Sequence, residues 1–142
     1  MKTCRFLLCS FIAAFASFAH AQEKRAALSD EQKTFLSQYE AVRAGLAADD
    51  LTATKKAAAA VTAVLATDSA KKIASADSIT AAREAFKALS KQAVTTAAGQ
   101  SGYYHAHCPM VPNDEGNWVQ TSKKISNPYF GKSMATCGSI EN

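Results

Sequence analysis

Ser29-Asp30-Glu31-Gln32-Lys33-Thr34-Phe35-Leu36-Ser37-Gln38-Tyr39-Glu40-Ala41-Val42-Arg43-Ala44-Gly45-Leu46 reads as one amphipathic helix with its start signal included. Ser29 and Gln32 have the spacing of a capping box, in which each side chain satisfies a backbone N–H that the first turn leaves without a partner. Asp30 and Glu31 fall in that first turn, where the helix dipole favours acids. Phe35, Tyr39, Val42 and Leu46 then recur at intervals of four, three and four, which lines them up on one stripe of a helix. Such a stripe has to be buried against something else.

The residues that follow supply it. Asp49-Asp50 ends the first helix and offers a cap to a second. Leu51 to Ala66 is dominated by alanine, with Ala57, Val61, Val64 and Leu65 as a thin apolar face. Alanine favours helix but buries little area, so this element must approach its neighbours closely. A polar stretch from Thr67 to Asp77 links or extends it. A third helix starts near Asp77 or Ser78, carries Ile79, Ala82, Phe86, Leu89 and Ala93 on one face, and ends before Gly99. Together the segments predict a mainly α fold, a small antiparallel helical bundle over about 29–98 joined by short turns. Phe35, Tyr39, Phe86 and Leu89 are read as its core.

Ahead of the bundle, Met1 to Ala21 has the three parts of a secretory signal. Lys2 and Arg5 give a positive start, Phe6 to Phe18 an apolar run, and Ala19-His20-Ala21 a small-x-small cleavage site. The run is too short to span a bilayer, which takes ~20 apolar residues. It continues past Cys9 to Phe18, unlike a lipoprotein signal, which closes at its lipidated cysteine. Cleavage after Ala21 leaves residues 22–142 as a single exported, periplasmic domain with no membrane insertion.

Two of the 16 Lys and Arg precede the cut and all 12 acids follow it, leaving 14 against 12, or +2. So small a surplus gives no reason to expect nucleic acid as a partner. Cys4 and Cys9 leave with the signal. Cys108 and Cys137 are then the thiols of the mature chain, in a compartment that permits a disulfide.

After Gly102 alanine thins out, and aromatic, Pro, Gly, Asn and sulfur residues take its place. The periodicity gives way to turn chemistry over about 103–140, an irregular segment that carries short strand signals. Tyr103 to Met110 alternates as a short extended strand, and Pro109 argues that this strand lies at an edge.

This segment also holds the ligand chemistry. His105, His107, Cys108, Met110, Met134 and Cys137 are the histidines, cysteines and methionines left once the signal is removed. Cys108 and Met110, two apart in extended chain, point to one side. Met134 and Cys137, three apart, share a face of a helical turn or tight loop. Convergence of the two pairs would set two thiolates and two thioethers around one soft ion, Cu(I) foremost and Ag(I) by the same logic. Zinc is the alternative, bound by the cysteines and both histidines. The alternation, however, sets His105 and His107 on the face opposite Cys108 and Met110, as secondary ligands. Plainer readings stand beside these. Cys108 and Cys137 can close a disulfide worth ~3 kcal/mol, the methionines can fill gaps in a core, and the histidines can be ordinary surface. No Cys-x-x-Cys, Gly-rich phosphate loop or nucleophile elbow is present, so no enzyme signature appears.

Cys108-Pro109-Met110, Trp118, Ile125-Ser126-Asn127-Pro128-Tyr129-Phe130-Gly131, Met134 and Cys137-Gly138, in this order, resemble the signature of a bacterial exported family catalogued as domain of unknown function 3347. Arg83, Phe86 and Ser90 resemble a pattern on that family's last long helix, so the likeness covers nearly all of the mature chain. Related domains occur attached to membrane-fusion subunits of copper and silver export pumps. The resemblance therefore implies metal handling at Cys108, Met110, Met134 and Cys137, with such a subunit or a metal chaperone as partner. The family often has other residues at His105 and His107. Trp118, Tyr129 and Phe130 are expected as an apolar wall or as packing between tail and helices, with Asn127, Pro128 and Gly131 setting the loop. Two functions follow as expectations: a periplasmic soft-metal binder that buffers Cu(I) or Ag(I) or hands it to an efflux system, or a disulfide-stapled interaction module of the envelope without metal.

Overall fold

The structure, a computed structural model, describes residues 26–141; the signal-peptide reading of 1–21 falls outside them. The first helix, α1 (Asp30–Ala47), starts as its sequence dictates. Ser29 Oγ accepts from the Gln32 N–H at 3.2 Å, and Gln32 Oε1 accepts from the Ser29 N–H at 2.9 Å. Its buried face is Phe35, Leu36, Tyr39, Val42, Arg43, Gly45 and Leu46. Helix α2 (Leu51–Val64) is capped by Asp50, whose Oδ1 accepts from the Ala53 N–H at 2.8 Å. The alanine-rich helix does come close: a Cβ on Gly45 would stand 2.6 Å from Thr54 Oγ1, so the α1–α2 crossing depends on that glycine.

The polar stretch is neither a plain link nor an extension of α2, as the composition suggested. Extended backbone at Leu65 stops α2, and Thr67 caps a separate short helix, α3 (Asp68–Ala74), which buries only Ala70 and Ile73. Helix α4 (Ile79–Ala97) begins at the Ser78 cap and buries Ala82, Phe86, Leu89, Ser90, Ala93 and Ala97. Helix α1 packs on α2 and α4, and α3 touches both α2 and α4. The architecture is thus mainly α. Among the described residues, no helix is long and apolar enough to cross a membrane.

A small antiparallel sheet completes the fold: β1 (Tyr104–His107), β2 (Asn117–Gln120) and β3 (Ser139–Ile140), in the order β2-β1-β3. The expected strand is therefore present, but it is central rather than at an edge. It ends at His107, so the missing N–H of Pro109 falls outside the ladder. Cys108 N still donates to Gly116 O at 2.9 Å.

Sheet and helices share one core. Tyr39 on α1 stacks on Phe86 of α4 (centroids 5.4 Å apart, planes at 12°), Phe86 tilts against Tyr129, and Tyr129 meets Trp118 of β2 edge-on at 6.1 Å. Burying side chains of this size contributes roughly 1.5–3 kcal/mol each. Polar contacts fix the register of this packing. Ser90 Oγ donates to Asn117 O at 2.7 Å. With that proton committed, the Tyr39 hydroxyl donates to Ser90 Oγ at 2.9 Å and accepts from the Val119 N–H at 3.2 Å. Burial pushes the Tyr39 phenol far above its ordinary value of 10.0, so it stays protonated and keeps this donor role. Side chains of α1 and α4 thus cover the outer edge of β2, which would otherwise offer unpaired backbone groups.

Candidate metal centre

Cys108 continues β1 by one residue and is fully buried. Its carbonyl accepts from the Val111 N–H at 3.3 Å, closing a tight turn Cys108-Pro109-Met110-Val111 with proline at the position whose φ it presets. Gly116 fits against this turn because a Cβ there would collide with the Cys108 carbonyl. The turn corrects one expectation. Cys108 and Met110 are not two positions of an extended strand, so strand alternation does not aim them the same way. Met110 is 59% exposed, the exposed large hydrophobic side chain among the described residues.

Cys137 arrives from the far side of β1. Met134 ends the 3₁₀ turn Gly131–Met134, half-buried, and its carbonyl accepts from the Cys137 N–H at 3.0 Å; the pair shares a tight turn, as the spacing predicts. Asn127, buried, holds this loop from inside. Its Oδ1 accepts from the N–H groups of Tyr129 (2.8 Å) and Phe130 (3.1 Å), and its Nδ2 donates to Cys137 O at 2.8 Å. Gly138 then lets the chain close onto β1. A Cβ there would stand 2.7 Å from His107 O and 2.8 Å from Trp118 Cη2, and its φ of +121° is one that side chains other than glycine's rarely allow. With Ser139 paired to His107, Cys137 is delivered beside the end of β1.

The consequence is that the Cys137 thiol meets the Cys108 thiol within hydrogen-bonding reach. Both are free cysteines, one buried and one half-buried. The hydrogen bond to Cys108, with burial and the neighbouring sulfur's charge added, pushes the Cys137 thiol up to about 11.

Two arginines clamp the loop to the helices, and the sequence reading passed over this role. Arg43, buried on α1, donates from Nη1 to Ser126 O at 2.8 Å while Glu40 holds its guanidinium at 2.9 and 2.7 Å. Arg83 on α4 donates to Pro128 O and Leu46 O, each at 2.9 Å, and pairs with Asp49. Asp49 also accepts from the Lys132 N–H at 3.0 Å. The hydrogen bond from Arg83, followed by that from Lys132 N, holds the Asp49 carboxyl below its ordinary value. Gly131, at φ +55°, fits here because a Cβ would collide with Asp49 and Arg83. One signal was available: Arg43 stands four residues after Tyr39, on the apolar stripe, where a charge needs a partner. Trp118, Pro128 and Tyr129 are buried and Phe130 half-buried, so these residues pack the segment onto the core. Trp118, against Gly138, also walls the thiol side of β1.

The histidines do not join the thiols. His105 Nε2 lies 2.9 Å from Asn117 Oδ1. His107 Nε2 comes within 2.8 Å of Asp114 Oδ1 without the alignment of a hydrogen bond. Alternation along β1 accounts for this, turning both away from Ala106 and Cys108. Among the described residues, no three His, Cys, Asp or Glu side chains gather as a metal-binding group, so the four-ligand zinc set is not assembled. The donors that do meet, two thiols, suit a soft ion.

Comparison with known protein families, with curated proteins and with solved structures finds no match.

Proposed function

We propose that this chain is an exported, periplasmic protein that binds one soft monovalent ion, Cu(I) or Ag(I), between Cys108 and Cys137, and buffers it or passes it to an efflux system. The observation that carries this is the meeting of the two thiols, one at the end of β1 and the other just ahead of β3. Two thiols that meet at one point can hold a cation between them, and thiolate donors select Cu(I) and Ag(I) over harder ions. Met134, three residues ahead of Cys137 in the same turn, is the nearest thioether candidate in sequence to that thiol. In this reading the helices form an antiparallel bundle that serves as scaffold, and α1 and α4 hold the loop through Arg43 and Arg83. The resemblance of the Cys108 to Gly138 motif to domains of copper and silver efflux supports the same reading, with a membrane-fusion subunit or metal chaperone as recipient.

The same adjacency favours a second reading, in which the thiols are joined in the oxidising envelope and staple an interaction module without metal. One experiment separates them: a Cu(I) competition titration on the reduced mature protein, with a thiol count on protein taken directly from the periplasm. The metal reading expects one Cu(I) per chain. It also expects Cys108→Ser and Cys137→Ser each to weaken binding by more than about a hundredfold, the upper end of what outer-shell changes cost. Equal binding by wild type and both variants overturns it. Absence of free thiols in the cell, with no Cu(I) bound after reduction, establishes the staple instead.

A further inference from the structure

We infer that Cys137 is a thiol–disulfide exchange site for a low-molecular-weight disulfide and that Cys108 is its resolving thiol, so that the pair passes reversibly between dithiol and intrachain disulfide by a single route. The inference goes beyond the soft-metal reading and beyond a permanent staple, and shares with them only the meeting of the two thiols. Its basis is that these sulfurs touch but are not equivalent. Cys108 is fully buried, whereas Cys137 is half-buried and follows the exposed residues Ala135 and Thr136. A reagent arriving from solvent therefore reaches Cys137 first.

The backbone holds both sulfurs in place for this. Cys108 N donates to Gly116 O and the Cys108 carbonyl accepts from Val111 N; Cys137 N donates to Met134 O and the Cys137 carbonyl accepts from Asn127 Nδ2. With all four main-chain groups committed, neither thiol rides on a loose segment. The register Ala106 to Ile140 and His107 to Ser139, continued by one step, sets Cys108 opposite Gly138, next to Cys137. Paired strands stand about 4.8 Å apart, within the ~4.4–6.8 Å that the Cα atoms of a disulfide span. Exchange also places the attacking, central and leaving sulfurs in line. Cys108 lies on the inner side of Cys137, so a group carried by Cys137 toward solvent leaves directly away from the attack of Cys108.

The steps balance without any further reagent. Cys137 gives its proton to water and, as thiolate, attacks one sulfur of R–S–S–R; the Cys137–S–S–R bond forms, and R–S⁻ leaves and takes up a proton. Cys108, deprotonated in turn, attacks Cys137 Sγ, forming the Cys108–Cys137 disulfide and expelling the second R–S⁻. The two cysteines lose two electrons and the reagent gains them. Reduction retraces the path: a thiolate attacks Cys137 Sγ, the sulfur that solvent reaches, and Cys108 is the leaving group. A half-covered sulfur admits a small, flexible disulfide more readily than the rigid face of a protein. The oxidised chain has no thiolate to offer a soft ion, so exchange at Cys137 would gate the metal binding proposed above.

The test mixes reduced mature protein with glutathione disulfide, quenches with acid over time, and locates each adduct by peptide mapping in the mass spectrometer. Wild type is expected to carry glutathione on Cys137 only, and transiently, because the intramolecular second step outruns the bimolecular first. Cys108→Ser is expected to accumulate one stable adduct on Cys137. Cys137→Ser is expected to react at least about a hundredfold more slowly than wild type, as a thiol that needs local opening does. The wild-type map is independent of how well the variants fold. An adduct on Cys108 in wild type, or Cys137→Ser reacting as fast as wild type, overturns the inference. Reaction with the disulfide of a Cys-x-x-Cys protein but not with glutathione disulfide overturns the choice of reagent. The experiment contains no metal, so its failure and that of the soft-metal reading are seen separately.

Discussion

The Cys137 thiol lies against the Cys108 thiol although the two enter from opposite directions, Cys108 as the continuation of β1 and Cys137 two residues ahead of β3, the strand that pairs with it. The pairing of Ser139 with His107 sets this relationship. Whatever disturbs the β1–β3 contact should separate the sulfurs.

Gly138→Ala tests that dependence. The new methyl would crowd His107 O at 2.7 Å and Trp118 Cη2 at 2.8 Å, on a backbone at φ +121°. We expect a loss of about 2 kcal/mol or more in urea unfolding, together with slower disulfide formation between Cys108 and Cys137 under mild oxidant. A variant with wild-type midpoint and wild-type pairing rate would mean that β3 does not control the approach.

Asn127→Ala removes three buried partners at once: the acceptor for Tyr129 N and Phe130 N and the donor to Cys137 O. Leaving such groups unpaired costs about 2–3 kcal/mol in total when the loop relaxes in part. Faster alkylation of Cys137 should accompany the loss, measured by mass spectrometry over time. Unchanged reactivity would show that the loop keeps its path without this side chain.

Asp49 gives the pH dependence. Its folded carboxyl is held below the ordinary 3.8, chiefly by the hydrogen bond from Arg83. A group depressed on folding stabilises at pH above its unfolded value, and the contribution is lost as pH falls through the folded value. Wild type should therefore melt higher than Asp49→Asn near neutrality, and the gap should close below 3.8. Thermal midpoints of both proteins across an acid series check this; a gap independent of pH would remove the ion pair from the account.

The starts of α1, α2 and α4 were legible because each is written within four residues: Ser29 with Gln32, Asp50 with Ala53, Ser78 with Ala81. Helix α3 escaped because only Ala70 and Ile73 turn inward, too few positions to reveal a period. Strand β3, two residues long, has no signal of its own and exists through its partner. Pro109 misled about the edge because the strand stops before reaching it. Met110 was misplaced because spacing in an extended chain was applied to a turn. The buried arginine on the Tyr39 stripe was readable in principle, but its partner, Ser126 O, lies far along the chain.

Local chemistry was enough to decide that the chain is mainly helical, where α1, α2 and α4 begin, and that its soft donors crowd into the last quarter. Caps, stripes and composition act over a few residues and can be read from neighbours alone. Which donors meet was decided only by tertiary structure. The β1–β3 register, the Gly138 approach and the clamps from Arg43 and Arg83 bring the thiols together. The turn from Cys108 to Val111 leaves Met110 exposed, and the alternation of β1 turns the histidines away. Those outcomes depend on backbone paths between distant segments, and a one-residue slip would reverse them, because the side chains of a strand alternate in facing.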